Sequence, residues 1–214
     1  MRFFRMLVIF ACILAPCFFL SSFKKMPKQA SCHKGVIILD AGHGGSDEGT
    51  KVQSLMEKRV TLLTAFLTKE ALEERGYRVI LTRSRDVYLS LPKRAAIANR
   101  MKGTLFVSIH YNAAQNTEAK GVEVFYCQTE NSARTRSSKR LANCVLRYVI
   151  DETKASSRGV KQGNYHVIRE TEMPAILIEG GFATNPEERL HLKDRKYLQK
   201  IAQGIALGIE KYLK

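Results

Sequence analysis

The sequence predicts an α/β domain: a twisted, mostly parallel, six-stranded sheet with helices on both faces. Three observations predict it. Short, unbroken apolar runs recur along the chain, as strands buried on both faces require. Between them, apolar residues return at helical spacing. Glycines and polar clusters punctuate the change from one period to the other. The first strand is residues 36–39, and further strands are expected at 77–82, 105–109, 122–126, 165–168 and 175–178. Val60, Leu63, Leu67 and Ala71 share one face of a helix that Gly76 closes. Leu198, Ile201, Ile205 and Ile209 mark another near the end of the chain, and two more are expected at about 91–101 and 139–149. Strands alternating with helices call for crossover connections and a sheet covered on both sides.

The chain has 214 residues, of which 45% are hydrophobic and 26% charged. That is enough for one domain with a sizeable core, and it excludes disordered and fibrous classes. Arg2 and Arg5 precede an apolar run at 6–20, and Lys24 and Lys25 follow it. Residues 1–23 therefore read as a signal peptide or signal anchor, 24–34 as a polar linker and 35–214 as the domain. This layout predicts an exported, periplasmic protein, with membrane association through the N-terminal segment if the leader is retained. The formal net charge of +15 favours an anionic partner, and export removes nucleic acid from the candidates. Beyond the leader stand Cys32, Cys127 and Cys144, an odd count without a CxxC pair. Neither a disulfide framework nor a cysteine metal site is supported.

In an open α/β sheet, functional groups gather beyond the carboxyl ends of the parallel strands. The first strand runs into Asp40-Ala41-Gly42-His43-Gly44-Gly45, which places His43 at that edge. The third ends in Ser108-Ile109-His110-Tyr111-Asn112 and delivers His110. The last ends in Ile178-Glu179-Gly180-Gly181, and Glu57 opens the first long helix. Two imidazoles and two carboxylates thus converge. That is the stoichiometry of a catalytic zinc site with two His and one Glu as ligands, an open position and a second carboxylate as base. Tyr111 and Asn112 follow as candidate substrate-binding or supporting groups.

Each residue alone has a plainer reading. His43 could serve a turn, His110 a core, Glu57 a helix dipole and Glu179 an ion pair. Joint placement favours the metal reading. His33, His166 and His191 lack partner spacing and read as structural or surface residues. A serine acyl-enzyme would need Ser-x-x-Lys with supporting motifs. Ser90-Leu91-Pro92-Lys93 fits the first, but no Lys-Thr-Gly follows. A silent wall-binding module would be expected to lack a ligand, and all four groups are present.

The sequence resembles the zinc-dependent N-acetylmuramoyl-L-alanine amidases of bacterial cell-wall remodelling over most of its length. The resemblance rests on Asp40-Ala41-Gly42-His43-Gly44-Gly45 with Gly49, on Glu57, and on Leu81-Thr82-Arg83 with Asp86. Leu91, Arg94, Ala98 and Asn99 follow, then Ser108-Ile109-His110-Tyr111-Asn112, Gly121-Val122-Glu123, and Pro174 to Phe182 with Asn185, Pro186 and Glu187. The resemblance implies one zinc per chain held by His43, Glu57 and His110, with Glu179 as the catalytic carboxylate. It implies hydrolysis of the amide between N-acetylmuramic acid and L-alanine, in peptidoglycan polymer, muropeptide or lipid-linked precursor, for wall remodelling and cell separation. Ala41 stands where the family usually has Pro, and Tyr111 where it usually has Ala; neither is a ligand. Regulated members that resemble this chain carry a long insertion after the fourth strand, whose helix plugs the site. Here about a dozen residues separate that strand from the next expected helix, with Glu130 the only acid, so an open site that requires no activator protein is expected.

Overall fold

The computed structural model describes residues 33–214, so the expected leader at 1–23, nearly all of the expected linker and Cys32 lie outside the described residues. Six strands form one sheet: β1 (Val36–Ala41), β4 (Arg78–Leu81), β5 (Leu105–Asn112), β6 (Val122–Tyr126), β7 (Ser157–Gln162) and β8 (Ala175–Phe182). Their order is β4-β1-β5-β8-β6-β7, and only the β6–β8 pairing is antiparallel. A small hairpin, β2 (Lys51–Val52) with β3 (Leu55–Met56), leads into α1 (Glu57–Glu73). The other helices are α2 (Leu91–Arg100), α3 (Ser132–Thr153), α4 (His166–Arg169), α5 (Pro186–Lys193) and α6 (Arg195–Leu213).

The apolar runs are explained by burial on both sides. Ile37, Leu39, Val107, Ile109, Ile176 and Ile178 pack toward α1, α3 and α6, whereas Ile38, Phe106, Ala175 and Leu177 pack with Ala98 of α2 and Val167 and Ile168 of α4. Alternate residues of each central strand serve opposite layers, so no position on it can be polar without cost. The helices α3 and α6 run antiparallel in close contact. A Cβ on Gly204 would lie 2.5 Å from Val149 Cα, and one on Gly208 would lie 2.5 Å from Val145 Cα. Cys127 and Cys144 are free thiols.

The fold class and the strand count agree with the sequence, but two elements do not. Residues 165–168, expected to be a strand, supply Tyr165 as the N-cap of the short helix α4. Their two buried apolar residues face the sheet from outside it, and a run that short carries no period of its own. The sixth strand is instead β7, whose sequence SRGVKQ is exposed or half-buried throughout. It is an edge strand paired only to β6, so it needs no apolar alternation. Helix α3 begins at Ser132, two turns before the expected start near Lys139. Asn131 caps it by accepting from the Arg134 N–H, and its first turns are basic and solvated apart from Ser138. Only residues 127–131 connect β6 to α3. Strands β5 and β8 also run further than their apolar cores, to Asn112 and Phe182.

Candidate metal centre

Parallel pairing sets the site. Ala41 lies opposite Ile109, so the turn after β1 and the last part of β5 meet at the carboxyl edge of the sheet. His110 lies beside Glu179 of β8, and the register between β5 and β8 shifts just beyond them, between His110 and Asn112. Glu57 opens α1, held at this edge by Glu57 N–H donating to the Thr50 carbonyl at 2.9 Å.

His43, Glu57 and His110 bring one ligand atom each within 4.8 Å of one another. Glu57 Oε1 stands 3.1 Å from both His43 Nε2 and His110 Nδ1. The two imidazoles meet edge to face, their centroids 4.9 Å apart. The donor set suits a divalent ion bound by imidazole and carboxylate. The surroundings fit it as well. His43 Nδ1 lies 2.9 Å from the Asp47 carboxylate, which turns Nε2 toward Glu57. Glu57 Oε1 accepts the Tyr111 N–H at 3.1 Å and Oε2 the Thr50 N–H at 2.9 Å. Glycines clear the space: a Cβ on Gly49 would lie 2.6 Å from His43 Cδ2 and 2.7 Å from Glu57 Oε2.

The electrostatics follow from this crowding. Burial alone would raise the Glu57 pKa, but the hydrogen bonds and charges of His110 and His43 hold it far below the usual carboxylate value. Burial likewise disfavours a charged His43, yet Glu57 and Asp47 overcome it and raise the imidazole above its ordinary value.

Two buried arginines lock the turn that carries His43. Arg94 donates to the Ala41 and His43 carbonyls, each at 2.7 Å, and pairs with Asp40 at 2.9 Å. Arg83 donates to the carbonyls of Ala41 at 2.9 Å and Gly42 at 2.8 Å. Asp40 is satisfied further by the hydroxyls of Thr82 at 2.6 Å and Ser108 at 2.8 Å. His43 itself has a φ of 60°, a left-handed conformation that this clamp sustains.

Glu179 shares the same cleft, of about 570 Å³, with Leu91 and Tyr165 among its walls. Its Oε2 is sealed from solvent and has no hydrogen-bond partner. Burial first, then the charges of Glu57 and Glu123, push its pKa well above the usual carboxylate range. Glu123 lies beside it in register on β6 and is itself fully held by Asn112 Nδ2 at 2.7 Å, Arg158 Nε at 3.0 Å and Lys161 Nζ. Asn112 therefore supports Glu123. The Tyr111 phenol points away from the cleft into the core, 2.6 Å from Thr64 Oγ1, so that only its backbone N–H serves the site.

The sequence therefore brought together the residues that the fold brings together, and it missed Asp47 and the part played by Glu123. An Asp four residues after His43 in a glycine-rich turn was the available signal for the first. Neither Glu130 nor Glu152 lines the cleft.

A family model described as N-acetylmuramoyl-L-alanine amidase matches residues 37–211. The chain is 34% identical over 176 residues to YqiI of Bacillus subtilis (strain 168), covering 82% of this chain and 84% of that one. It is 37% identical over 180 residues to the probable cell wall amidase LytH of Staphylococcus aureus, but spans only 57% of LytH. Among solved structures it is similar to the catalytic domain of the amidase CwlV from Bacillus (Paenibacillus) polymyxa var. colistinus, with 37% identity, a TM-score of 0.78 and coverage of 84% of this chain and 98% of that one. The CwlD amidase of Clostridioides difficile, solved in complex with the GerS lipoprotein, is similar at 33% identity and a TM-score of 0.78, over 84% of this chain and 98% of CwlD.

Proposed function

The chain belongs to the N-acetylmuramoyl-L-alanine amidase family, and from that premise we propose that it is a zinc-dependent hydrolase of the amide joining N-acetylmuramic acid to L-alanine in peptidoglycan. One observation carries the reading. Three groups able to hold a metal ion converge in the cleft that Glu179 also lines, with a carboxyl oxygen that none of the described residues satisfies.

His43, Glu57 and His110 would hold one zinc per chain. When bound, zinc supplies Lewis acidity toward the scissile carbonyl and toward a water molecule. Glu179 does the proton work. As the water oxygen adds to the carbonyl carbon, the carboxylate takes its proton, and as the C–N bond breaks the same proton passes to the leaving nitrogen of L-alanine. The raised pKa suits that cycle, since a carboxyl nearer neutrality both accepts and returns the proton. Glu123, held in place by Arg158 and Lys161, is one of the charges that raise Glu179.

The protein acts outside the cytoplasm in this reading, exported or anchored by residues 1–23 and active in wall remodelling and cell separation. Its substrate is peptidoglycan, a soluble muropeptide or a lipid-linked precursor, and the basic surface attracts the free carboxylates of stem peptides. The test pairs metal analysis of the purified protein with mass spectrometry of digested wall fragments. Fragments with intact glycan and freed peptides beginning in L-alanine, lost on chelation and restored by zinc, are expected. Cleavage at another bond would overturn the assignment.

A further inference from the structure

The cleft opens at the carboxyl ends of β1, β5 and β8. The opposite end of the sheet carries a concentration of unpaired positive charge. Because β6 is antiparallel to β8, Tyr126 lies level with Ile176 near the start of β8, and α3 departs from that end. The Ala175 N–H donates to Ser138 Oγ at 3.0 Å, which fixes the first turns of α3 there. Since α6 is antiparallel to α3, its last turn returns to the same end, where Arg140 lies over the Tyr212 ring, 4.6 Å from its centroid.

From 132 to 150 this stretch of α3 holds five cations and no acid. Arg134 turns inward onto the carbonyls of Met173 and Ile168. The other four, Arg136, Lys139, Arg140 and Arg147, are exposed and join Lys211 around Tyr148 in a groove of about 490 Å³. Among the described residues, only Arg147 of these has a carboxylate near it, Asp151 at 3.9 Å. The Lys139 ammonium and the Arg140 guanidinium lie over the rings of Tyr126 and Tyr212, 5.9 and 4.6 Å from the centroids, while both residues stay exposed.

We propose that this groove is a docking surface for the anionic phospholipid face of a membrane. Three observations select that partner. The four cations without carboxylate partners stand on one face, the arrangement that anionic headgroups attract. The described chain enters at this same end: the Lys34 N–H bonds the Gly76 carbonyl at 3.1 Å, and Arg75 beside it pairs with Glu210 of α6 at 3.7 Å. In the sequence the apolar run at 6–20, with basic residues on both sides, precedes that entry by about a dozen polar and basic residues, so an N-terminal anchor would be joined to the domain at this end. The cleft at the other end stays free to meet polymer. The proposal does not depend on the reaction assigned above.

Residues 33–214 form one compact unit whose core is complete within it, so this part can be tested alone. It should sediment with vesicles of phosphatidylcholine containing about one third phosphatidylglycerol, and not with pure phosphatidylcholine, at physiological salt. The variant R136Q/K139Q/R140Q/K211Q should bind the anionic vesicles at least about tenfold more weakly and cleave soluble muropeptide at the unaltered rate. A control, K193Q/R195Q/K196Q/K200Q, removes the same charge from the end of α5 and the first turns of α6 and should bind like the parent. Equal loss in both variants would show attraction by net charge alone and overturn the proposal. So would equal binding to both kinds of vesicle, or binding of a soluble glycerol phosphate polymer by a domain that leaves anionic vesicles in the supernatant.

Discussion

Gly42 lies against the ring of His110, so close that a Cβ on it would fall 2.6 Å from Nδ1 and nearer still to Cε1 and Nε2. The backbone there cannot retreat, because the Gly42 carbonyl is bonded by Arg83 and Thr61 and its N–H by the Ile109 carbonyl. A methyl group at Gly42 must therefore push the imidazole out of its place beside Glu57. Gly42→Ala is expected to weaken metal binding by roughly 10–100-fold, the range typical when a ligand loses its orientation, while circular dichroism stays that of the folded parent. Metal content after dialysis checks it. A variant that retains its metal with parental affinity would show that His110 is not a ligand.

The roles of the carboxylates separate by substitution. Glu179→Gln keeps the shape of the side chain but cannot take a proton, so it should retain metal and lose turnover by about 10²–10⁴-fold. His43→Ala or His110→Ala should lose metal and activity together. Near-normal turnover in Glu179→Gln would require another base, and among the described residues Glu123 is the nearest carboxylate on the neighbouring strand.

Much of this was legible because the central strands are buried on both faces. The runs at β1, β5 and β8 announce themselves, and position beyond a parallel strand then locates His43 and His110. The edge strand β7 could not be read, since its residues answer to solvent on one side and to β6 on the other. The start of α3 was hidden by the same cause, basic residues that have no buried face to mark the period. Asp47 depends on a turn closed by Gly44 and Asp47, and the effect of Glu123 on Glu179 depends on antiparallel register across the sheet. The first leaves only an Asp four residues after His43 in a glycine-rich turn, and the second leaves no mark in sequence spacing.

Metal-free protein should be most stable in mildly acidic solution. Glu57 is depressed in the fold, so its contribution is present above its ordinary value of 4.5 and is lost as pH falls through the folded value. His43 is raised, so its contribution is full below 6.5 and is lost as pH rises through the folded value. Glu179 is raised too, and the fold resists its ionisation as pH climbs above 4.5. Glu57 therefore sets the acid limit, while His43 and Glu179 predict a decline on the alkaline side. Thermal unfolding of chelated protein should therefore give a higher Tm near pH 5.5 than near pH 8, with the stabilisation by added zinc larger at about pH 8, where ligands need not shed protons. A Tm of chelated protein that rises steadily across this range would contradict the assignment of these shifts.

The cleft should work without a partner to open it. A self-inhibiting helix must leave the sheet, cross the cleft and return, and the segment following β6 is residues 127–131, which α3 ends at once. Those residues have a structural duty already: Thr129 N–H is held by Thr135 Oγ1 at 3.0 Å, and Asn131 caps α3. They also leave β6 at the end of the sheet remote from His43, because β6 runs against β8. The later interval, between α3 and β7, is only residues 154–156, and the α3 end is fixed by the Lys154 N–H on the Ile150 carbonyl at 2.9 Å. No segment after β6 is thus free to bring Glu130 or Glu152 to His43, Glu57 and His110. The domain alone, supplied with zinc, should cleave soluble muropeptide at a rate that a lipoprotein of the kind bound to CwlD does not raise. Stimulation by orders of magnitude on a small soluble substrate would mean that the cleft is assembled by its partner, and the open geometry would then have to be read as an inactive one.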